Sequence, residues 1–317
     1  MKKTIAGIFM LSVLMSCGGR DNSRSIVIST SFALYPMFLE WSREYRVVHP
    51  EVEFDIAAGG ASKSASDILS GMADLGSLSR ETHPGEIEKG LWSILAGRDA
   101  VVPVINENNP FLAKLLKKGV TGRDLAGIWR DNSIRTWDEL TAGSHAGGGK
   151  PISVYNRSDS CGAKEIWALF LGAEADGLSG VGVFGEPGMT KAVKDDPLGI
   201  GYNNIHSAFD SETLREFSGV RILPLDLNGN GFIDPDENIY SDRQVFLAAL
   251  LAGQYPSPPS RNLYIISKGT PARKEIIEFL YWIMTDGQKY VSGTGYFPLN
   301  QDVLKTELKK LPAVPVK

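Results

Sequence analysis

Ser25-Ile26-Val27-Ile28-Ser29-Thr30-Ser31-Phe32-Ala33-Leu34-Tyr35-Pro36-Met37-Phe38-Leu39-Glu40-Trp41-Ser42-Arg43-Glu44-Tyr45 is the stretch on which the fold turns. It opens with a short β-branched apolar run, Ser25 to Ile28, that reads as a strand. A small polar turn follows. Leu34, Phe38, Trp41 and Tyr45 then recur at helical spacing, which predicts a helix over Leu34–Tyr45 with one buried face. Pro36 is tolerated in its first turn, where a backbone N–H has no helical partner to lose. Strand, polar turn and helix in this order is the unit of an α/β fold with largely parallel strands.

The alternation continues along the chain. Val52–Ile56 alternates strictly and predicts a second strand; Ser62–Ser70 predicts a helix stopped by Gly71, and Ala73–Gly76 begins another strand. Ala100–Ile105 reads as a buried strand, ended by Asn106-Glu107-Asn108-Asn109-Pro110. Helices are expected over Ala163–Leu171, Asp242–Leu251 and Ala272–Thr285, with a strand at Leu263–Ile266. The 317 residues are 43% hydrophobic and 22% charged, an ordinary globular composition with length for about two domains. Thirty-three Lys and Arg against 37 Asp and Glu leave no basic footprint, so nucleic acid is not an expected partner and any anion needs a local site. Two cysteines exclude a disulfide scaffold.

The first cysteine closes a leader. Met1-Lys2-Lys3 and the apolar run Ile5–Met15 read as a signal peptide over residues 1–16, too short to cross a bilayer. Leu14-Met15-Ser16-Cys17 resembles the bacterial lipobox, so Cys17 is the expected lipidation site, with residues 17–24 as a polar tether. The expected location is the bacterial cell envelope, with membrane contact through the lipid alone.

Three segments place small polar residues just before a helix: Ser29-Thr30-Ser31-Phe32, Gly59-Gly60-Ala61-Ser62 and Arg157-Ser158-Asp159-Ser160-Cys161-Gly162. A helix N-terminus carries unpaired N–H groups and about half a positive charge, and so attracts anions. Hydroxyls add donors, while Arg80 and Arg157 offer bidentate partners for an oxyanion.

With the run Ser70-Gly71-Met72-Ala73-Asp74-Leu75-Gly76-Ser77-Leu78-Ser79-Arg80, these segments stand in the order of a known family. So do Leu125-Ala126-Gly127-Ile128-Trp129, Thr136-Trp137-Asp138-Glu139-Leu140 and Leu198-Gly199-Ile200-Gly201-Tyr202. Together they resemble the phosphate-binding proteins of phosphate-specific ABC importers, across nearly the whole chain after the leader. The resemblance implies the two-lobed fold of type II periplasmic binding proteins, each lobe a mostly parallel sheet flanked by helices. Residues 25–103 with 260–317 would form one lobe and residues 104–259 the other, joined by two crossing strands. It implies ligand contacts from Thr30, Ser31, Phe32 (through its N–H), Ala61 or Ser62, Ser79, Arg157, Cys161, Gly162 and Ala163, with Arg80 as a second arginine.

The chain departs from the family at several of these places. Ala61 stands where many members have a hydroxyl, Ser79-Arg80 where some place a carboxylate, and Cys161-Gly162-Ala163 where Ser-Gly-Thr is usual. The implied function is capture of phosphate or a related oxyanion by a monomer, for delivery to ABC permease subunits, with no enzymatic activity and no cofactor. The alternative is a surface sensor or interaction lipoprotein that keeps the fold without transport; a permease and ATPase encoded beside it would distinguish the two. Cys161 at a helix N-terminus raises nucleophilic catalysis, but none of His49, His83, His145 and His206 has a motif that sets it beside the thiol.

One further motif is independent of that family. Asp226-Leu227-Asn228-Gly229-Asn230-Gly231-Phe232-Ile233-Asp234-Pro235-Asp236-Glu237 matches a twelve-residue EF-hand loop. Side chains of Asp226, Asn228, Asn230, Asp234 and Glu237 and the Phe232 carbonyl supply oxygen ligands, so Ca²⁺ is expected as a structural ion. Val220-Arg221-Ile222-Leu223 before it reads as a strand, which favours a clip over a helix–loop–helix sensor.

Overall fold

A computed structural model describes residues 25–142, 149–210 and 212–313. The leader, Cys17 and the tether lie outside the described residues, as do residues 143–148 of the Gly-rich stretch. Nine strands run in the order β2-β1-β3-β9-β4-β7-β5-β6, with β8 also paired to β4. They are β1 (Ser25–Thr30), β2 (Glu53–Ala58), β3 (Leu75–Leu78), β4 (Leu91–Asn106), β5 (Ser153–Arg157), β6 (Val181–Val183), β7 (Gly199–Asn204), β8 (Val220–Ile222) and β9 (Ser260–Lys268).

The two flanks are parallel: β1 with β2 and β3 on one side, β5 with β6 and β7 on the other. The centre is antiparallel, because β4 and β9 run against each other, β9 against β3 of one flank and β4 against β7 of the other. β4 is the spine. Its first part, Leu91–Ala100, pairs with β9, and its second, Val101–Asn106, pairs with β7 and β8.

Apolar packing divides at the same place. One large core gathers residues between Ala100 and Tyr255, around Trp129, Trp137, Trp167 and Tyr202. A second gathers Ile26–Ala96 with Leu263–Leu311, and a small third lies under the helix Ala61–Ser70. Each lobe thus buries its own apolar faces, the main source of folding free energy.

The first two long helices follow their sequence signals. Tyr35–Val48 buries Met37, Phe38, Trp41 and Tyr45 with Pro36 in its first turn, and Ala61–Ser70 ends at Gly71 in a left-handed conformation. The helices Gly162–Phe170, Gly185–Asp195, Arg243–Leu251 and Lys274–Met284 cover the sheet. Among the described residues no helix is long and apolar enough to cross a membrane.

Candidate functional site

Parallel strands deliver their C-terminal ends to one edge of each flank, and the crevice outside those ends is where open α/β sheets hold ligands. All six parallel strands do so here. β1 leads to Ser31 and Phe32, β2 to Gly60 and Ala61, and β3 to Ser79. From the other lobe, β5 ends in Arg157 and leads to Cys161, β6 leads to Glu186, and β7 ends at Asn204. Ser31, Phe32, Ala33, Gly60, Ala61, Ser79, Arg157, Cys161, Ala163, Glu186 and Asn204 together line a narrow, tightly closed cavity.

Arg157 is its most constrained group. Its side chain is 1% exposed, and its Nε and Nη2 donate to the two carboxylate oxygens of Asp159 at 2.7 and 2.6 Å. Asp159 also accepts the Gly185 N–H at 3.1 Å. Nη1 is buried with no hydrogen-bond partner among the described residues. The guanidinium carbon sits 5.6 Å from the centre of the Phe32 ring, a cation–π contact across the cleft. Burial alone would pull this guanidinium down, but the Asp159 hydrogen bonds and the surrounding negative charges hold it above its ordinary value, so it stays charged. Beneath it, Trp129 and Trp167 meet edge to face at 5.5 Å and Trp167 stacks on Tyr202 at 5.3 Å. The Tyr202 hydroxyl in turn accepts the Arg157 N–H at 3.2 Å and donates to Asn156, which fixes the end of β5.

The lobes touch around the cavity. An ideal Cβ on Gly162 would lie 2.4 Å from Ser79 Oγ and 2.5 Å from its carbonyl oxygen, so only glycine permits this approach. Gly60, at φ +87°, faces the Ser160 carbonyl, whose oxygen would lie 3.1 Å from a Cβ placed there. Phe32 meets Phe184 edge to face at 5.9 Å.

Four of the residues expected at the site stand elsewhere. Thr30 is fully buried behind the cavity, its hydroxyl sharing a hydrogen bond with Ser77, which also contacts Ser31 Oγ; it positions Ser31 and does not line the space. Ser62 does not replace the hydroxyl absent at Ala61: its Oγ is 2.8 Å from Ser160 Oγ at the exposed rim. Gly162 packs on Ser79, as above. Arg80 turns away, its Nη1 and Nη2 bound to Glu86 at 2.9 and 2.7 Å and its Nε 3.1 Å from Glu165 of the other lobe. It lines a separate open groove of about 950 Å³ with His83, Arg98, Tyr255 and Arg261. The arginines there are tied as well, Arg261 to Asp99 and Arg98 to Asn262.

Cys161 caps the helix Gly162–Phe170, and burial pushes its thiol up to about 11 in spite of Arg157, so at neutral pH it is a thiol. Glu186 and Asn204 were not expected. Asn204 stands two residues after the Leu198–Tyr202 motif and precedes a short helix, a position that signals a cap. Glu186 has no comparable sequence signal.

The loop 226–237 wraps upon its own acids. Asp226 accepts the N–H groups of Gly229, Asn230 and Gly231, and Glu237 accepts those of Leu227 and Asp234. The amides of Asn228 and Asn230 both donate to Asp234 at 2.8 Å. Among the described residues no three His, Cys, Asp or Glu side chains converge as a metal set. The oxygen donors themselves are the hard ligands Ca²⁺ takes.

Two α/β lobes meeting over a small polar cavity define a cleft-type binding protein. The chain belongs to the PBP superfamily, whose domain matches residues 18–287. It is 24% identical to the phosphate-binding protein PstS of Methanocaldococcus jannaschii, over 97% of this chain and 95% of that protein. A solved structure from Clostridium perfringens with bound phosphate shares the fold at a TM-score of 0.69 and 20% identity, covering 87% of this chain and 100% of that one. An ABC-type phosphate transport receptor from Vibrio cholerae does so at 0.59 and 21%, covering 86% and 99%.

Proposed function

We propose that this chain is the substrate-binding component of a phosphate ABC importer. In this reading it captures phosphate, or a closely related oxyanion, between its lobes and presents it to permease subunits. It would act outside the cytoplasm, held to the bacterial cell envelope by lipid on Cys17. The names of the relatives support this reading, and one observation carries it: a buried arginine whose Nη1 has no partner, in a cavity that both lobes close. Ser31 and Ser79 add hydroxyls, and the first turns of the helices Ala61–Ser70 and Gly162–Phe170 direct unpaired N–H groups and positive dipole ends to the same place. Each donor left unpaired in a closed cavity costs about 1–3 kcal/mol, so closure rewards an anion that meets all of them.

Calorimetric titration of the ligand-stripped mature chain with phosphate tests the reading. Binding is expected in the wild type and weaker by at least about 30-fold in Arg157→Ala, following the 2–5 kcal/mol cost of truncating a buried hydrogen-bonded charge. No heat with phosphate, arsenate, sulfate or molybdate from a folded protein would overturn it. Fatty-acid labelling that Cys17→Ser abolishes would support the anchor. We also propose Ca²⁺ as a structural ion at the loop 226–237, held by Asp226, Asn228, Asn230, Asp234, Glu237 and the Phe232 carbonyl.

A further inference from the structure

Two helices that start at the cavity end at the opposite face of the same lobe, beside the point where the chain enters from its tether. The helix Tyr35–Val48 follows Phe32 and Ala33 of the cavity and runs 14 residues, about 21 Å, to Val47 and Val48. The helix Ala61–Ser70 starts in the cavity wall and runs 10 residues, about 15 Å, to Gly71 and Met72. β1 spans the same distance the other way, from Ser25 to Thr30 over about 20 Å. Ser25 marks the far end. It pairs with Glu53, which the chain reaches shortly after Val48, and it lines a small pocket with Met72.

This end is apolar on its outer surface. Val47 is 74% exposed, Met72 73% and Val48 61%, the first two being the most exposed large apolar side chains among the described residues. Val47 also walls an open groove of about 590 Å³ with Leu39, Phe54 and Ile56. Exposed apolar side chains gathered at one end of a lobe mark a contact surface. Charge does not select its partner: Arg43 and Arg273 are matched by Glu40 and Asp74, and exposed Glu51 and Glu53 follow exposed Arg46. The chain before β1 does. Residues 17–24 alone separate Ser25 from Cys17. Eight residues of polar, Gly-containing chain span about 16 Å on average and about 29 Å at full stretch. A lipid on Cys17 therefore holds this end beside the bilayer, with the cavity a helix length further away. At such a distance a weak apolar contact suffices, because a short linker supplies an effective concentration in the millimolar range.

We propose that Val47, Val48 and Met72 form a membrane-contact surface that rests in the interface of the bilayer holding the anchor, with the cavity turned away from the membrane. The proposal rests on the Cys17 anchor proposed above. Arg46 lays its methylene stem along the interface and keeps its guanidinium among the head groups. In this pose the cavity faces the medium from which ligand arrives, and delivery to a permease requires the lobe to lift off and turn on its tether.

The experiment places the lipidated mature chain in phosphatidylcholine vesicles containing doxyl-labelled lipid, with an environment-sensitive dye on one introduced cysteine. Cys17 is blocked by its lipid and Cys161 is buried, so neither takes the dye. Val47→Cys and Met72→Cys report on the patch, and Phe184→Cys, 67% exposed beside Phe32, reports on the cavity end. All three positions are exposed, so the substitutions leave the cores untouched. The dyes on Val47→Cys and Met72→Cys are expected to be quenched at least about threefold more than the dye on Phe184→Cys, as groups lying about 5–10 Å into the interface are. Adding Val47→Asp and Val48→Asp to Met72→Cys should lower its quenching to the Phe184→Cys level, which shows that the side chains and not the dye make the contact. Equal quenching at both ends, in chains that sediment with the vesicles, would overturn the proposal and leave the anchor standing. Quenching that survives the two aspartates would overturn it as well. A mature chain that acquires no lipid and stays in the supernatant removes the anchor, and this inference with it.

Discussion

An ideal Cβ on Gly162 would meet Ser79 Oγ at 2.4 Å and the Ser79 carbonyl oxygen at 2.5 Å, far inside any real carbon contact, and the carbonyl, being backbone, cannot swing aside as a side chain could. Gly162→Ala should therefore leave each lobe folded while blocking their approach. The expected result is an unchanged unfolding midpoint with phosphate affinity at least about tenfold lower, since an interaction completed only on closure is forfeited. Equal affinity would mean that the lobes need not meet. Glu186 supplies a second prediction at this scale. Its ordinary value is 4.5 and its folded value about 2, so its contribution to stability is full above about 4.5 and is lost as pH falls towards 2. At about 1.4 kcal/mol per unit, the stability difference between wild type and Glu186→Gln should shrink by up to about 3 kcal/mol across that window. Denaturant unfolding at pH 7, 4 and 3 measures it; a constant difference would contradict the low folded value. Arg157 and Ser31 were legible from their types and their places before helices, and Ser79 only from the family resemblance. Glu186 was not, because nothing local marks a glutamate whose meaning comes from His206, Asn204 and a cleft formed by distant strands.

At the scale of elements, sequence patterns served best where one face is buried. The helices at Tyr35–Val48 and Ala61–Ser70 and the strands β1 and β2 fall within a few residues of their expected bounds. β4 is the instructive exception. Only Ala100–Ile105 was legible, yet the strand begins at Leu91, because Gly97, Arg98 and Asp99 break the apolar pattern while cross-strand partners on β9 sustain the pairing. Asp99 is buried there against Arg261, a pair that no single-segment pattern can announce. The helix Gly185–Asp195 was also missed, since its Gly-Glu-Pro-Gly start reads as a turn. The loop 226–237 lies at the other extreme, its spacing wholly local. If it holds Ca²⁺, saturation at about 100 times Kd stabilises by about 2.7 kcal/mol, and the melting temperature should rise by several degrees. A chelator should reverse the rise, and Asp226→Ala should abolish it; an equal rise in that variant would place the ion elsewhere.

In the proposed function the molecule works by the approach of two lobes that share one spine, and charged contacts across the cleft would set how long they stay together. Arg80 is the clearest of these. It belongs to the lobe of β3, is fixed there by Glu86, and stands 3.1 Å from Glu165 on the helix Gly162–Phe170 of the other lobe. His83 adds a longer contact to the same carboxylate at 3.8 Å. Arg80 is almost wholly buried while Glu165 is 28% exposed, and burial raises the Glu165 carboxyl although Arg80 opposes that rise. Such a pair is worth about 1 kcal/mol once its desolvation is counted. Because it forms only when the lobes are together and lies outside the cavity, its loss should act on opening rather than on encounter. Glu165→Gln is expected to raise the phosphate dissociation rate about three- to tenfold and to leave the association rate within about twofold, as truncating a buried pair at an interface does. Stopped-flow measurement of both rates decides it. A slower association with an unchanged dissociation rate would make the pair part of ligand capture, and the arginine would then act before closure instead of holding it.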